Sequence, residues 1–332
     1  MLGDNGEFVF TAGLNYQNDP WAVVPELLQT TLFFGFDGAT NGADFCIGRM
    51  FYSDPLGFIA DGLFDGARLT FDTSAGVFGV GGWYTGLLCK RRANIEMTQS
   101  EYDYNNSAIE YDDFVNTYFA PKRVLAALDW EHTSLSEHFR LKASVLGQFD
   151  LTDAALNSQY LALKMTLPFQ GFTFDLGGCF ELIQQSDSDA MDMAFAAEMG
   201  LSWLWQRQGL SLLARHSSGV SDSFTAFLPI TTVTQGNILK ERLSGLTVIS
   251  LDYTSRLHET FSFSLIPAYF IDNFDSDGGL MGGEIYGKLN WRPVSDILVS
   301  LGGGIFLPSL GNIAPDANSV WRLEANVILS FF

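Results

Sequence analysis

The chain has 332 residues, a formal net charge of −20 and a pI near 4.3, with 14% aromatic residues, 33 glycines and only 17% charged residues. The acidic balance excludes a nucleic-acid partner, which needs a basic footprint, and no run approaches the ~18 apolar residues of a transmembrane helix. Cys46, Cys89 and Cys179 are odd in number and far apart, which suits isolated thiols, and neither a phosphate-binding loop nor a metal or other cofactor motif is present.

Alternation of side chains predicts about sixteen strands, near 7–17, 27–38, 43–51, 63–73, 77–88, 122–132, 138–150, 157–167, 172–184, 191–205, 210–217, 241–254, 260–272, 280–292, 297–307 and 319–332. The hairpin Leu63 to Leu88 shows the pattern. Ala67, Leu69 and Phe71 oppose Gly66, Arg68, Thr70 and Asp72, and Phe78, Val80, Gly82 and Tyr84 oppose Gly79, Gly81, Trp83 and Thr85. Further on, Phe139, Leu141, Ala143 and Val145 oppose Arg140, Lys142 and Ser144, and Ile285, Leu289 and Trp291 oppose Glu284, Lys288, Asn290 and Arg292.

The connections alternate as well. Short turns at 39–42, 74–76, 133–137, 168–171, 206–209, 255–259 and 293–296 interleave with longer or acidic loops at 18–26, 52–62, 89–121, 151–156, 185–190, 218–240, 273–279 and 308–318. This segregation predicts an all-β chain: a single domain over 1–332, folded as a transmembrane antiparallel up-and-down barrel with short periplasmic turns and longer external loops. Aromatics such as Trp83, Trp130, Trp203, Trp205, Trp291 and Trp321 lie near strand ends, as interfacial girdles require. An export signal is expected to have been removed, because the first strand begins almost at once.

The segment ARLTFDTSAGVFGVGGWYTG, Ala67 to Gly86, resembles the early hairpin of the bacterial general-diffusion porins. In that family the third and longest external loop follows this hairpin and folds inward to narrow the pore. The loop 89–121 occupies the same place, although it lacks the family's Pro-Glu-Phe-Gly-type tip. Only Arg68 carries over by position, as a wall arginine. The chain's last strand ends in Phe, and so resembles the terminal signature that barrel-assembly machinery reads, with Phe332 one residue out of phase. The resemblance implies a diderm bacterium, the outer membrane, lipid as the surrounding partner, and often a homotrimer.

On this phasing the lumen carries the bases Arg68, Arg123, Arg140, Lys142, Lys164, Arg215, Lys288, Arg292 and Arg322. Its acids are Asp72, Asp129, Glu131, Asp150, Asp175, Glu181, Asp192, Glu198, Asp252, Glu284 and Glu324. A lumenal charge is solvated, whereas a basic residue at the lipid midplane costs ~2–4 kcal/mol. Glu101, Asp103, Glu110, Asp112 and Asp113 in the third loop are expected to face the wall arginines if the loop folds in. The expected function is passive diffusion of ions and small hydrophilic solutes through an unplugged lumen, with a cation preference from the excess of acids. The alternatives are a substrate-selective channel, a structural or adhesin barrel working through its external loops, and a barrel phospholipase. The last rests on His216 and Ser218, which share a face in ARHSSG, with no acid or amide on the neighbouring strand to orient the histidine.

Overall fold

The structure is a computed structural model, which describes residues 6–17, 19–35, 42–91, 93–97, 99–110, 112–136, 139–151, 156–185, 191–274 and 278–329. The expected turn around 39–41, most of loop 151–156, the tip of loop 185–190, His138 and Phe332 lie outside the described residues.

The strands run β1 Gly6–Gln17, β2 Asp19–Gly35, β3 Gly42–Ser53, β4 Asp61–Thr73, β5 Gly76–Tyr84, β6 Arg123–Ser136, β7 Phe139–Asp150, β8 Leu156–Phe169 and β9 Phe172–Gln185. They continue as β10 Met191–Trp205, β11 Gln208–Ser217, the two-residue pieces β12 Thr234–Gln235 and β13 Glu241–Arg242, then β14 Leu246–Ser255, β15 Phe261–Asp272, β16 Leu280–Val294, β17 Ile297–Leu307 and β18 Val320–Leu329. All except β12 and β13 form one 16-stranded sheet in which each strand pairs with its neighbours in sequence. The pairings are antiparallel throughout. This is the up-and-down barrel topology that the alternation predicted.

Three boundaries differ from expectation, each for a local reason. Residues 19–26 are not a loop: β2 begins at Asp19, which pairs with Gln17. A register shift between Thr11 and Ala12 places Pro25 beside a bulge, where a missing N–H is tolerated. Strand β5 stops at Tyr84 rather than reaching 88, because Thr85 turns the chain inward: its N–H donates to Arg123 O and its hydroxyl to Pro121 O. The stretch 241–254 divides at Gly245, whose φ of +56° is open to glycine, and where a Cβ would lie 2.4 Å from Phe274 Cα.

The barrel is apolar outside and filled inside. Outward rows expose Ile47 and Phe51 on β3, Leu161 and Leu163 on β8, and Trp321 and Leu323 on β18. Inward rows bury Ala162, Ala194 and Ala196 almost completely. No described helix is long and apolar enough to cross a membrane, which says nothing of a barrel that crosses with strands.

One charged pair breaks the outward apolar row. Arg49 lies between Ile47 and Phe51 on β3, and faces Asp65 across the β3–β4 ladder. The guanidinium forks onto the carboxylate at 2.9 and 2.7 Å and also donates to Leu87 O at 3.0 Å. Such a pair is tolerated on an apolar face only while both partners are present. Arg49→Ala is therefore expected to lower the stability of the folded barrel by about 3 kcal/mol, with Arg49→Lys losing less. Urea unfolding in lipid vesicles, followed by tryptophan fluorescence, measures this; equal midpoints for the variant and the parent would contradict it.

Candidate functional site

The connection between β11 and β14, residues 218–245, crosses the lumen. It starts at Ser218, whose hydroxyl donates to Thr225 O and accepts the Phe195 N–H. It next meets β9, where Glu181 accepts the Leu228 N–H at 2.9 Å and the β8 residue Tyr160 donates to Leu228 O at 2.6 Å. It then reaches the β3–β4 connection, where the N–H groups of Ile230 and Thr231 donate to Ile59 O and the Thr231 hydroxyl accepts the Asp61 N–H. Finally it turns back to β16 and β18. There the Glu284 carboxylate takes three successive N–H groups, from Asn237, Ile238 and Leu239, at 2.6, 3.1 and 3.1 Å, and Arg322 donates to Asn237 O.

Apolar packing reinforces these bonds. Phe227 and Ile230 of the crossing segment, with Leu56, Phe58 and Ile59 of the β3–β4 connection, pack on the inward rows of β3 to β10. Ile238 packs on the opposite side against Val248, Phe270, Tyr286 and Phe306. The expected unplugged lumen is thus corrected: a strap of irregular chain, apolar on two sides, spans it.

A second strap braces the first. In the β3–β4 connection Asp54 accepts the N–H groups of Leu56, Gly57, Ile59 and Ala60 at 2.8 to 3.1 Å. Burial pushes the Asp54 carboxyl above its ordinary value, against the pull of those four donors. The third external connection, 85–122, joins the same core through Leu88, Ile95 and Ala120. Ile95 bridges to Thr231, and Glu96 ties the two loops by accepting from the Thr232 hydroxyl and from Arg242 at 2.9 and 2.6 Å. Helix α1, Gln99–Asn106, is tied to the rim through Glu101 and Arg123, and helix α2, Phe114–Thr117, follows it in the chain. Lys90 is wholly buried in this loop against Tyr104 O, the Ser107 hydroxyl and the Tyr104 ring, and burial lowers its pKa.

The predicted wall charges fall into groups. Lys164 and Arg215 share the buried carboxylate of Glu198 at 2.7 and 3.2 Å. Arg215 also donates to Gln235 of the crossing segment and lies 5.4 Å from the Phe58 ring centre. Arg68 pairs with Asp129, which also accepts from Tyr52 and Ser144. Both line a cavity of about 220 Å³ with Lys142, which pairs with Glu131. Arg123 is buried between Glu101 and Asp150 at the external rim. Arg322 pairs with Glu324, and Asp175 accepts from Thr166. Asp252 and Lys288 are half-buried, while Arg140, Arg292, Asp72 and Asp192 are exposed. Glu181 and Glu284 do not face open water; they are the fasteners of the strap. Of the loop acids, Glu101 meets a wall arginine, whereas Asp103, Glu110, Asp112 and Asp113 are exposed at the mouth.

Solved structures share this architecture. OpdK of Pseudomonas aeruginosa, in a structure with vanillate, superposes with a TM-score of 0.57 at 10% identity, over 97% of this chain and 92% of that one. The chain has the barrel fold of outer-membrane channels. OccAB4 of Acinetobacter baumannii matches with a TM-score of 0.53 at 10% identity, over 97% and 94% of the two chains. A BenF-like porin from Pseudomonas fluorescens Pf-5 matches with a TM-score of 0.55 at 7% identity, over 93% and 79%. No protein-family model and no curated protein sequence matches the chain.

The residues of the phospholipase alternative are each bonded to other groups. His216 Nδ1 lies 2.7 Å from the Thr247 hydroxyl, which in turn donates to Asn273 Oδ1, so an amide does reach the histidine, through a threonine. The Ser218 hydroxyl is buried and occupied by backbone groups of Phe195 and Thr225.

Asp54→Ala removes the acceptor of four N–H groups in a buried turn, each orphan donor costing about 1–3 kcal/mol. The barrel is expected to remain heat-modifiable while the strap loosens, seen as faster protease cleavage between residues 54 and 60. Parental cleavage rates would show that the apolar contacts alone hold it.

Proposed function

We propose that the chain is an outer-membrane channel of narrow bore, selective for small organic acids, rather than a wide general-diffusion pore. The observation that carries this reading is the strap 218–245, fastened to the wall on separate sides by Glu181, Glu284 and Arg322. A segment held in this way is a fixed constriction, and bore and lining charge then decide what passes.

The charge beside the constriction favours anions. Two cations, Lys164 and Arg215, share one carboxylate there, and Arg215 reaches the strap itself through Gln235. The acids that dominate the net charge include a group on the third loop, at the external mouth. This replaces the expected cation preference with a preference for a solute bearing one carboxylate. The vanillate in the OpdK structure supplies the class to try first, small aromatic acids.

Two experiments in planar bilayers test the reading. Replacing residues 226–240 with a short Gly-Ser linker is expected to raise single-channel conductance by about threefold or more, since conductance follows bore. An unchanged conductance would remove the strap from the permeation path, and no conductance from either protein would leave a plugged barrel whose external loops do the work. Vanillate added to one side is expected to reduce the KCl current of the parent, with several-fold more needed for Lys164→Gln. Equal sensitivity of the two proteins would end the case for the Lys164–Glu198–Arg215 group as the selective element.

A further inference from the structure

A cleft of about 630 Å³ opens at the external rim between the third connection and the ends of β5, β6 and β7. Its lower edge is formed by Tyr84, Lys122 and Leu151. By strand alternation each of these continues an outward row: Val80 and Phe78 lie below Tyr84, Val124 and Leu128 below Lys122, and Val145 and Phe149 below Leu151. The upper wall is loop, with Leu87, Val115 and Phe119 turned to the cleft. Leu87, Val115 and Leu151 are 53%, 72% and 58% exposed, an arrangement costly in water and suited to hydrocarbon. Glu101 and Asp150 line the inner end, but both are paired to the buried Arg123. Lys122 is left as the exposed cation at the level where the apolar band ends.

We propose that this cleft is a lipid-binding site, which takes an acyl chain of an outer-leaflet lipid whose phosphate headgroup carries a net negative charge, and holds that headgroup at Lys122. Two features select this occupant. The apolar floor is continuous with the lipid-facing rows of three strands, so the chain enters from the bilayer without crossing water. Lys122, the one cation among the described lining residues, stands at the interface, where a lysine draws an anionic headgroup. On this assignment helix α2 rests in the outer leaflet, and the third connection grips the membrane as well as the lumen. The inference stands apart from the channel reading, since it concerns the outer surface and needs no permeation.

Photo-crosslinking tests it. Protein carrying p-benzoyl-phenylalanine in place of Val115 is refolded into vesicles of phosphatidylcholine and phosphatidylglycerol in equal amounts, irradiated, and its adducts weighed by mass spectrometry. The expected result is a lipid adduct at this position, with phosphatidylglycerol several-fold over phosphatidylcholine, and no adduct when the label replaces Asp103 on α1. Lys122→Glu in the same background is expected to bring the headgroup ratio to that of the bulk lipid, while free inorganic phosphate leaves the parent's ratio unchanged. Lack of an adduct at 115 would overturn the proposal, as would an equal yield at 103. An adduct whose headgroup ratio follows the bulk in the Lys122 protein would reduce the cleft to ordinary lipid-facing surface and would overturn it equally.

Discussion

Backbone that leaves a sheet keeps its polar groups, and inside a barrel they have no ladder to pair with. The carboxylate of Glu284 answers this for three residues at once, by accepting the N–H groups of Asn237, Ile238 and Leu239. Asp54 does the same for four N–H groups of the shorter strap, and Glu181 for Leu228. An unpaired buried N–H costs as much as a lost hydrogen bond, so these acids decide whether irregular chain can occupy the lumen at all. Because their partners are backbone groups, the sequence of the strap is free to serve other ends. It uses that freedom to present Phe227 and Ile230 to one wall and Ile238 to another.

The two faces of the barrel are consequently stabilised by different physics. Outside, apolar side chains meet hydrocarbon and the wall needs nothing more than alternation. Inside, three loops pack a core that no single one of them completes: Ile59 accepts from Ile230 and Thr231, and Glu96 holds both Thr232 and Arg242. Loosening any one loop exposes the others, so the straps are expected to yield together rather than in sequence.

The strands were legible because a period of two is imposed by the backbone and read directly from side-chain chemistry. Arg68, Asp129 and Lys142 fell on inward rows for the same reason, though the pairing of Arg68 with Asp129 rather than with a loop acid could not be seen in one strand alone. The strap was harder. Residues 218–240 were visibly long and apolar for an external loop, but alternation says nothing about irregular chain. The fasteners Glu181 and Glu284 looked like ordinary lumen charges, because an acid solvated by water and an acid bound to N–H groups occupy the same positions in a strand. Asp54 had a local signal, the turn-forming run Asp54-Pro55-Leu56-Gly57. The β2 boundary differs because a bulge beside Pro25 lets the ladder run through a residue that has no donor.

The same reasoning separates net charge from selectivity. A charge of −20 belongs to the whole chain, whereas a passing solute responds to groups within a few ångströms of the narrowest point. Exposed acids on the third loop are screened by solvent and lie at the mouth. Glu198 is buried and already shared by two cations, and Glu181 and Glu284 are committed to backbone donors. The Lys164–Glu198–Arg215 group, with two cations to one carboxylate, has a formal balance opposite in sign to that of the whole chain. On the proposed reading it is this local group, and not the total charge of the chain, that a solute meets at the strap.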